Sequence, residues 1–202
     1  QAIAKDSYLV YDYSVNNNYA YWFTDVDDKI VVSFFNSENN STEAIGVKSY
    51  INVALSAIVY KSKKLEATEI LKSLLEKVKS RYSKSAAGKL DISIAILDPK
   101  AKELTVSGLN QNVYYIDANE KLKMLNTGSE AFDLSSIPEL KTITAKDVSE
   151  AYFISKPMTN QVVTEQGNDD GVPFLQFLRS LRGNEMEDQA KSISDKLSGE
   201  DS

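Results

Sequence analysis

Residues 19–47 read YAYWFTDVDDKIVVSFFNSENNSTEAIGV. An aromatic run leads into an Asp-rich turn at Asp25–Asp28, and an apolar run from Ile30 to Phe35 leads away from it, which predicts a β-hairpin. The second strand lacks clean alternation and is expected to be covered on both faces. Six short polar residues follow, Asn36 to Ser41, and then the period changes. Val47, Ile51, Leu55 and Ile58 fall at spacings of four, four and three, one apolar stripe on a helix over 43–60. Strand, tight loop, helix is a place where enzymes hold a metal ligand or cradle a phosphate. This loop has no Asp, Gly or His; it offers Glu38 and the consecutive amides Asn39 and Asn40.

Upstream, SYLVYDYS (7–14) alternates weakly and reads as a strand. Downstream, KSKK (61–64) is a solvated connector. A second helix spans 67–82, with Ile70, Leu71, Leu74, Leu75 and Val78 inward and Lys and Glu outward. SKSAAGK (83–89) is a loop. Strands are expected at 90–98, 103–108, 112–118 and 121–125, then an irregular connection over 127–140 and a last strand at 150–155. In the first of these, Ile92, Ile94 and Ile96 alternate with Ser93, Ala95 and Leu97, and the small residues suggest that helices lie close against that second face. Two helices close the chain. Pro173 sits in the first turn of one and Gly183 stops it. Asn184 and Glu187 have capping-box spacing for the other, whose stripe is Met186, Ala190, Ile193 and Leu197.

Strands in runs and helices in pairs exclude the alternation of a doubly wound sheet. The packing solution is an α/β (α+β) fold: a four-layer α/β/β/α sandwich of two antiparallel sheets flanked by helix pairs. At 202 residues this is one domain with a core large enough to stand without disulfides. The chain has neither Cys nor His, so any catalysis falls to Asp, Glu, Lys or Tyr. A net charge of −6 argues against a nucleic-acid backbone as partner. No stretch approaches the ~20 apolar residues of a membrane span.

The order of these elements, with YAYWFTDVDDKIVVSFF, LDISIAILDPKAKELTVSGLNQNVYYID, EAYFISKP and DDGVPFLQFLRSLRGNEMEDQAKSISDKL, resembles the PPM-type serine/threonine phosphatases, in particular their bacterial SpoIIE-like branch. The resemblance covers nearly the whole chain. It implies the sandwich fold and a centre where Asp residues at strand ends hold two Mg²⁺ or Mn²⁺ ions around a shared water. Hard cations require anionic oxygen donors, and the pair activates water for phosphate hydrolysis.

The positions implied to carry that chemistry have changed. The family's Gly-Asp before the aromatic pair falls on Asn18–Tyr19. Its next Asp falls on Asn36, and its close-approach loop on Glu38, Asn39 and Asn40. Its late Asp-Gly falls on Lys156–Pro157. A final Asp pair and strand are expected beyond the terminal helices, and Asp201 is the candidate for that pair. Phenol, amide and ammonium at Tyr19, Asn36 and Lys156 turn three negative charges into one positive. Two adjacent dications repel strongly without carboxylates around them. The expectation is a pseudophosphatase with no catalytic residue, no metal and no other cofactor, its degenerate positions being Tyr19, Asn36, Asn39 and Lys156. Lys156 is expected either to point to water or to place its ammonium against Asn36 and Glu38. The alternatives are an active phosphatase using Mg or Mn through non-standard ligands, and an assembly domain that reuses the fold.

Other clusters read more simply as structure. Asp25, Asp27 and Asp28 form a hairpin turn and Asp169–Asp170–Gly171 another. The run Tyr19, Tyr21, Trp22, Phe23 is packing surface in a chain this acidic rather than a base-stacking platform. Tyr13, Tyr114, Tyr115 and Tyr152 are strand residues. The glycosylation pattern at Asn39 and Asn40 lacks a secretory context. The remaining expectations are a single domain over 1–202 cut from the C-terminal part of a longer signalling protein (the chain opens on Gln1), a cytoplasmic location that includes the cytoplasmic part of a membrane-linked protein, and a protein partner. A homodimer is left open, and neither nucleic acid nor direct membrane contact is expected.

Overall fold

The hairpin forms as its residues dictate. Asp27 and Asp28 both adopt left-handed φ, 51° and 61°, as a two-residue type I′ turn requires, and short polar side chains tolerate this best. The turn joins β1 (Tyr19–Val26) to β2 (Lys29–Ser37). The computed structural model describes residues 19–62, 65–83, 88–128, 130–154 and 172–198. The expected strand at 7–14 and the turn at Asp169–Gly171 lie outside them.

β3 (Leu90–Asp98), β4 (Glu103–Leu109) and β7 (Ile143–Ala145) complete a five-stranded antiparallel sheet in the order β1-β2-β3-β4-β7. A smaller sheet, ordered β6-β5-β8, holds β5 (Asn112–Asp117), β6 (Leu122–Asn126) and β8 (Val148–Phe153). The chain passes from the large sheet to the small one after β4, returns between β6 and β7, and crosses again between β7 and β8. The three-residue β7 is too short to show a period in the sequence.

Three apolar clusters set the layers. On one face of the large sheet, Val31 and Phe35 of β2 and Ile92, Ile94 and Ile96 of β3 pack under α1 (Thr42–Val59) and α2 (Ala67–Tyr82). The predicted inward set of α2 is buried; Leu71, Leu74 and Leu75 are each 0% exposed, and burying such a side chain contributes about 1.5–3 kcal/mol. On the other face, Ala95, Leu104 and Val106 meet Val113, Tyr115, Leu125 and Val148 of the small sheet. Beyond that sheet, Tyr114 and Tyr152 pack against Leu178, Leu181 and Ile193, from α3 (Val172–Ser180), the turn after it and α4 (Met186–Ser198). The order is helices, sheet, sheet, helices, as the element pattern requires.

Three expectations are corrected. β2 is not covered on both faces: Val31, Ser33, Phe35 and Ser37 are buried, while Ile30, Val32, Phe34 and Asn36 are half-exposed, because the small sheet has three strands and packs over β3 and β4. The helices lie on the Ile face of β3, and the small-residue face receives the second sheet, whose close approach Ser93 and Ala95 allow. The capping box of α4 does not form. The helix begins at Met186, the Gln189 amide donates to the Glu185 carbonyl, and the Gln189 side chain, 2% exposed, donates to the Asn184 carbonyl. Among the described residues no helix is long and apolar enough to cross a membrane.

Candidate functional site

The loop after β2 is organised by its own polar groups. The Asn39 Oδ1 accepts from the Ser41 amide at 3.1 Å, the Ser37 hydroxyl donates to the Asn39 carbonyl at 2.8 Å, and the Ser41 hydroxyl caps α1 by accepting from the Ala44 amide at 3.1 Å. Asx turn followed by Ser cap is a backbone device for starting a helix. Glu38 is directed across to the strand before β3. Its amide donates to the Lys89 carbonyl at 2.9 Å, and its carboxylate accepts from the Lys89 amide at 3.1 Å. Gly88 makes this crossing fit: its φ is +76°, and a Cβ there would lie 2.9 Å from Asn39 Nδ2 and 3.1 Å from Glu38 Cβ.

Register places the remaining residues. Tyr19 is opposite Asn36, and Asn36 is opposite Asp91, so the three form a row across β1, β2 and β3 on the face turned to the second sheet. Asn110, just past β4, extends the row and donates from Nδ2 to the Asp91 carboxylate at 2.6 Å. Its φ of 54° is one that Asn tolerates better than most residues. The Tyr19 ring stacks on Phe34 with centroids 5.3 Å apart. The Asn36 Oδ1 is buried, with no hydrogen-bond partner.

Tyr19, Asn36, Glu38 and Asn39 are therefore gathered at one end of the large sheet, as the sequence suggested, and Lys156 lies outside the described residues. The Glu38 carboxylate accepts from the Lys89 backbone amide, and its expected contact with Lys156 falls outside the described residues. The sequence reading missed Asp91 and Asn110. Asp91 was legible only as a polar residue sharing a strand face with Ser93 and Ala95; its place beside Asn36 depends on cross-strand register.

Among the described residues, those in this row do not by themselves supply the donors that a pair of divalent cations requires. The row holds one carboxylate, already accepting from Asn110, two side-chain amides, Asn36 and Asn110, and one phenol ring. Among the described residues no group of three or more His, Cys, Asp and Glu is placed to hold a metal ion. Two dications require several anionic oxygens between and around them. Among the described residues, what the end of the sheet offers is hydrogen-bonding amides around two engaged carboxylates, Asp91 held by Asn110 and Glu38 by the Lys89 amide.

Helix pair, two facing antiparallel sheets and helix pair make up the architecture of PP2C-type phosphatase domains, and solved structures agree. The chain superposes on the SiaA-PP2C domain of Pseudomonas aeruginosa with a TM-score of 0.74 and 15% identity, covering 90% of this chain and 73% of that one. For the PP2C phosphatase domain and regulatory fragment of the cell fate determinant SpoIIE from Bacillus subtilis the TM-score is 0.72 at 8% identity, over 92% of this chain and 54% of that longer one. RsbX, solved in complex with magnesium, gives 0.60 at 12% identity, over 90% and 79%. The chain has the PPM/SpoIIE-like fold. No protein-family model matches its sequence, and no curated protein sequence does either.

Proposed function

We propose that this chain is a pseudophosphatase domain: a PPM-type scaffold that has lost its metal centre and acts in signalling by binding another protein. The observation that carries the proposal is Asn36. It occupies the strand-end position implied for a metal-ligating Asp, its Oδ1 is buried without a partner, and the one carboxylate beside it, Asp91, is held by Asn110. A half-buried row with one hydrogen-bonded carboxylate can retain the fold without cations, whereas a set of carboxylates there would repel without them. The net charge of −6 favours a protein partner over nucleic acid, and the proposed location is the cytoplasm.

Calorimetric titration with Mn²⁺, paired with para-nitrophenyl phosphate turnover, tests the reading. The expected outcome is no saturable heat and no metal-dependent turnover. Asp91 gives the enzymatic alternative its one foothold. Saturable Mn²⁺ binding with turnover that Asp91→Asn and Asn36→Ala both abolish would establish an active phosphatase with unusual ligands instead.

A further inference from the structure

The two helices covering the large sheet differ on their outward sides. α2 presents Lys72, Glu76, Lys77 and Arg81 to solvent, an ordinary charged face. α1 presents Ile45, Ser49, Val53, Ala57 and, just past its end, Tyr60. Ile45 is 54% exposed, Val53 69% and Tyr60 64%, and no charged residue occurs between Lys48 and Lys61. A helix apolar on both sides is normally covered on both. Tyr60 is already fixed in place: its hydroxyl shares a hydrogen bond of 2.6 Å with the Thr24 hydroxyl of β1, which leaves the ring outward.

We propose that this face of α1 is a self-association surface on which the α1 of a second copy of the chain lies antiparallel. The face is self-complementary under a twofold axis passing between Asn52 and Val53. That operation sets Ile45 of each copy against Tyr60 of the other, and Ser49 against Ser56, so the bulky residues meet at the two ends and small ones flank the centre. Val53 of both copies meets at the axis. The same operation brings Glu43 at the start of one α1 beside Lys61 at the end of the other, twice over, as an isologous contact requires. For two molecules that each carry −6, a patch whose outward residues Ile45, Ser49, Val53, Ala57 and Tyr60 are uncharged, with Lys48 at its flank facing Ala57 of the other copy and an acid and a base at its ends, is a place where they approach without like charges opposed. A helix about 27 Å long supplies less than the ~800 Å² per partner of a standard interface, so the pairing is a reversible equilibrium. The surface stands on α1 alone and holds whether or not the sheet-end site binds metal.

Sedimentation equilibrium of the whole chain tests it, with a monomer–dimer equilibrium expected below ~100 μM. Val53→Glu should weaken the dimer more than tenfold, since it places two carboxylates at the twofold axis; Val53 is exposed, so the variant should keep the parent's circular dichroism and melting temperature. Glu43→Lys should weaken association several-fold, and adding Lys61→Glu should restore it. The chain has no native Cys, so Val53→Cys should cross-link copies under mild oxidation while Lys77→Cys on α2 should not. A chain that stays monomeric at every concentration overturns the proposal, whether the face then takes another protein or a lipid surface. So does a Val53→Glu variant that dimerises like the parent, or equal cross-linking at 53 and 77.

Discussion

At the hairpin end of β2 and β3, Lys29 meets Asp98 at 3.1 Å and Lys100 meets Asp28 at 2.5 Å. At the other end of the same two strands, Asn36 faces Tyr19 on one side and Asp91 on the other, an amide at the position proposed above as a former carboxylate. Both ends could hold acids, but their cost differs. Asp28 is in open solvent beside Lys100, which holds its carboxyl below the usual range; the Ala101 amide, with Lys29, does the same for Asp98. The inner end is half-buried, and a second carboxylate beside Asp91 would need a cation to offset it. Acids persist in the turn because water and lysines satisfy them; at the site one acid is satisfied by Asn110, and a second beside it would call for a positive group.

The contrast can be broken at several points. Gly88→Ala should cost the most, about 2–3 kcal/mol in urea unfolding, since it combines a left-handed φ with a clash against Asn39 and Glu38. A loss below ~0.5 kcal/mol would mean that the Glu38–Lys89 staple does not organise the inner end.

Next comes Asn36→Asp, expected to destabilise by about 1–2 kcal/mol at neutral pH in chelator, through repulsion from Asp91 directly across the ladder. Asn36→Leu should be neutral or stabilising by up to ~1 kcal/mol, because it removes an unpartnered buried oxygen. Recovery of Asn36→Asp by millimolar Mn²⁺ would show that the lost charge alone separates this site from a metal centre. Ser41→Ala should lower stability by about 1 kcal/mol through loss of the α1 cap.

The smallest effect belongs to the solvent end. Lys100→Ala should lower the melting temperature only slightly at neutral pH, as exposed ion pairs contribute little. Its signature is in pH. Asp28 and Asp98 have folded pKa values below their unfolded ones, so their stabilisation is present above about pH 4 and is lost as pH falls through the folded values. Lys100→Ala should therefore flatten the acid limb of the stability profile between about pH 4 and 2. An unchanged acid limb would place its origin elsewhere. The buried Asp117, which accepts from the Asn119 and Lys121 amides and pairs with Lys123 at 2.7 Å, is the next group to replace.

Hairpin, helix pair, meander and terminal helices follow from short-range signals: the Asp turn, the stripes of α1 and α2, the alternation of β3. Those signals also exclude a doubly wound sheet, and the proposed loss of ligands at Tyr19 and Asn36 rests on the family resemblance in the sequence. Which face of β2 stays open was not legible, because it depends on how many strands the second sheet contributes. The neighbour of Asn36 was not legible either. Asp91 is 55 residues away in sequence, and only the antiparallel register of β2 with β3 sets it opposite. Local sequence determines which residues can form an element and which side chains have lost their charge; contacts between distant strands decide which lone carboxylate an amide must face, and pairing register is a property of the assembled sheet.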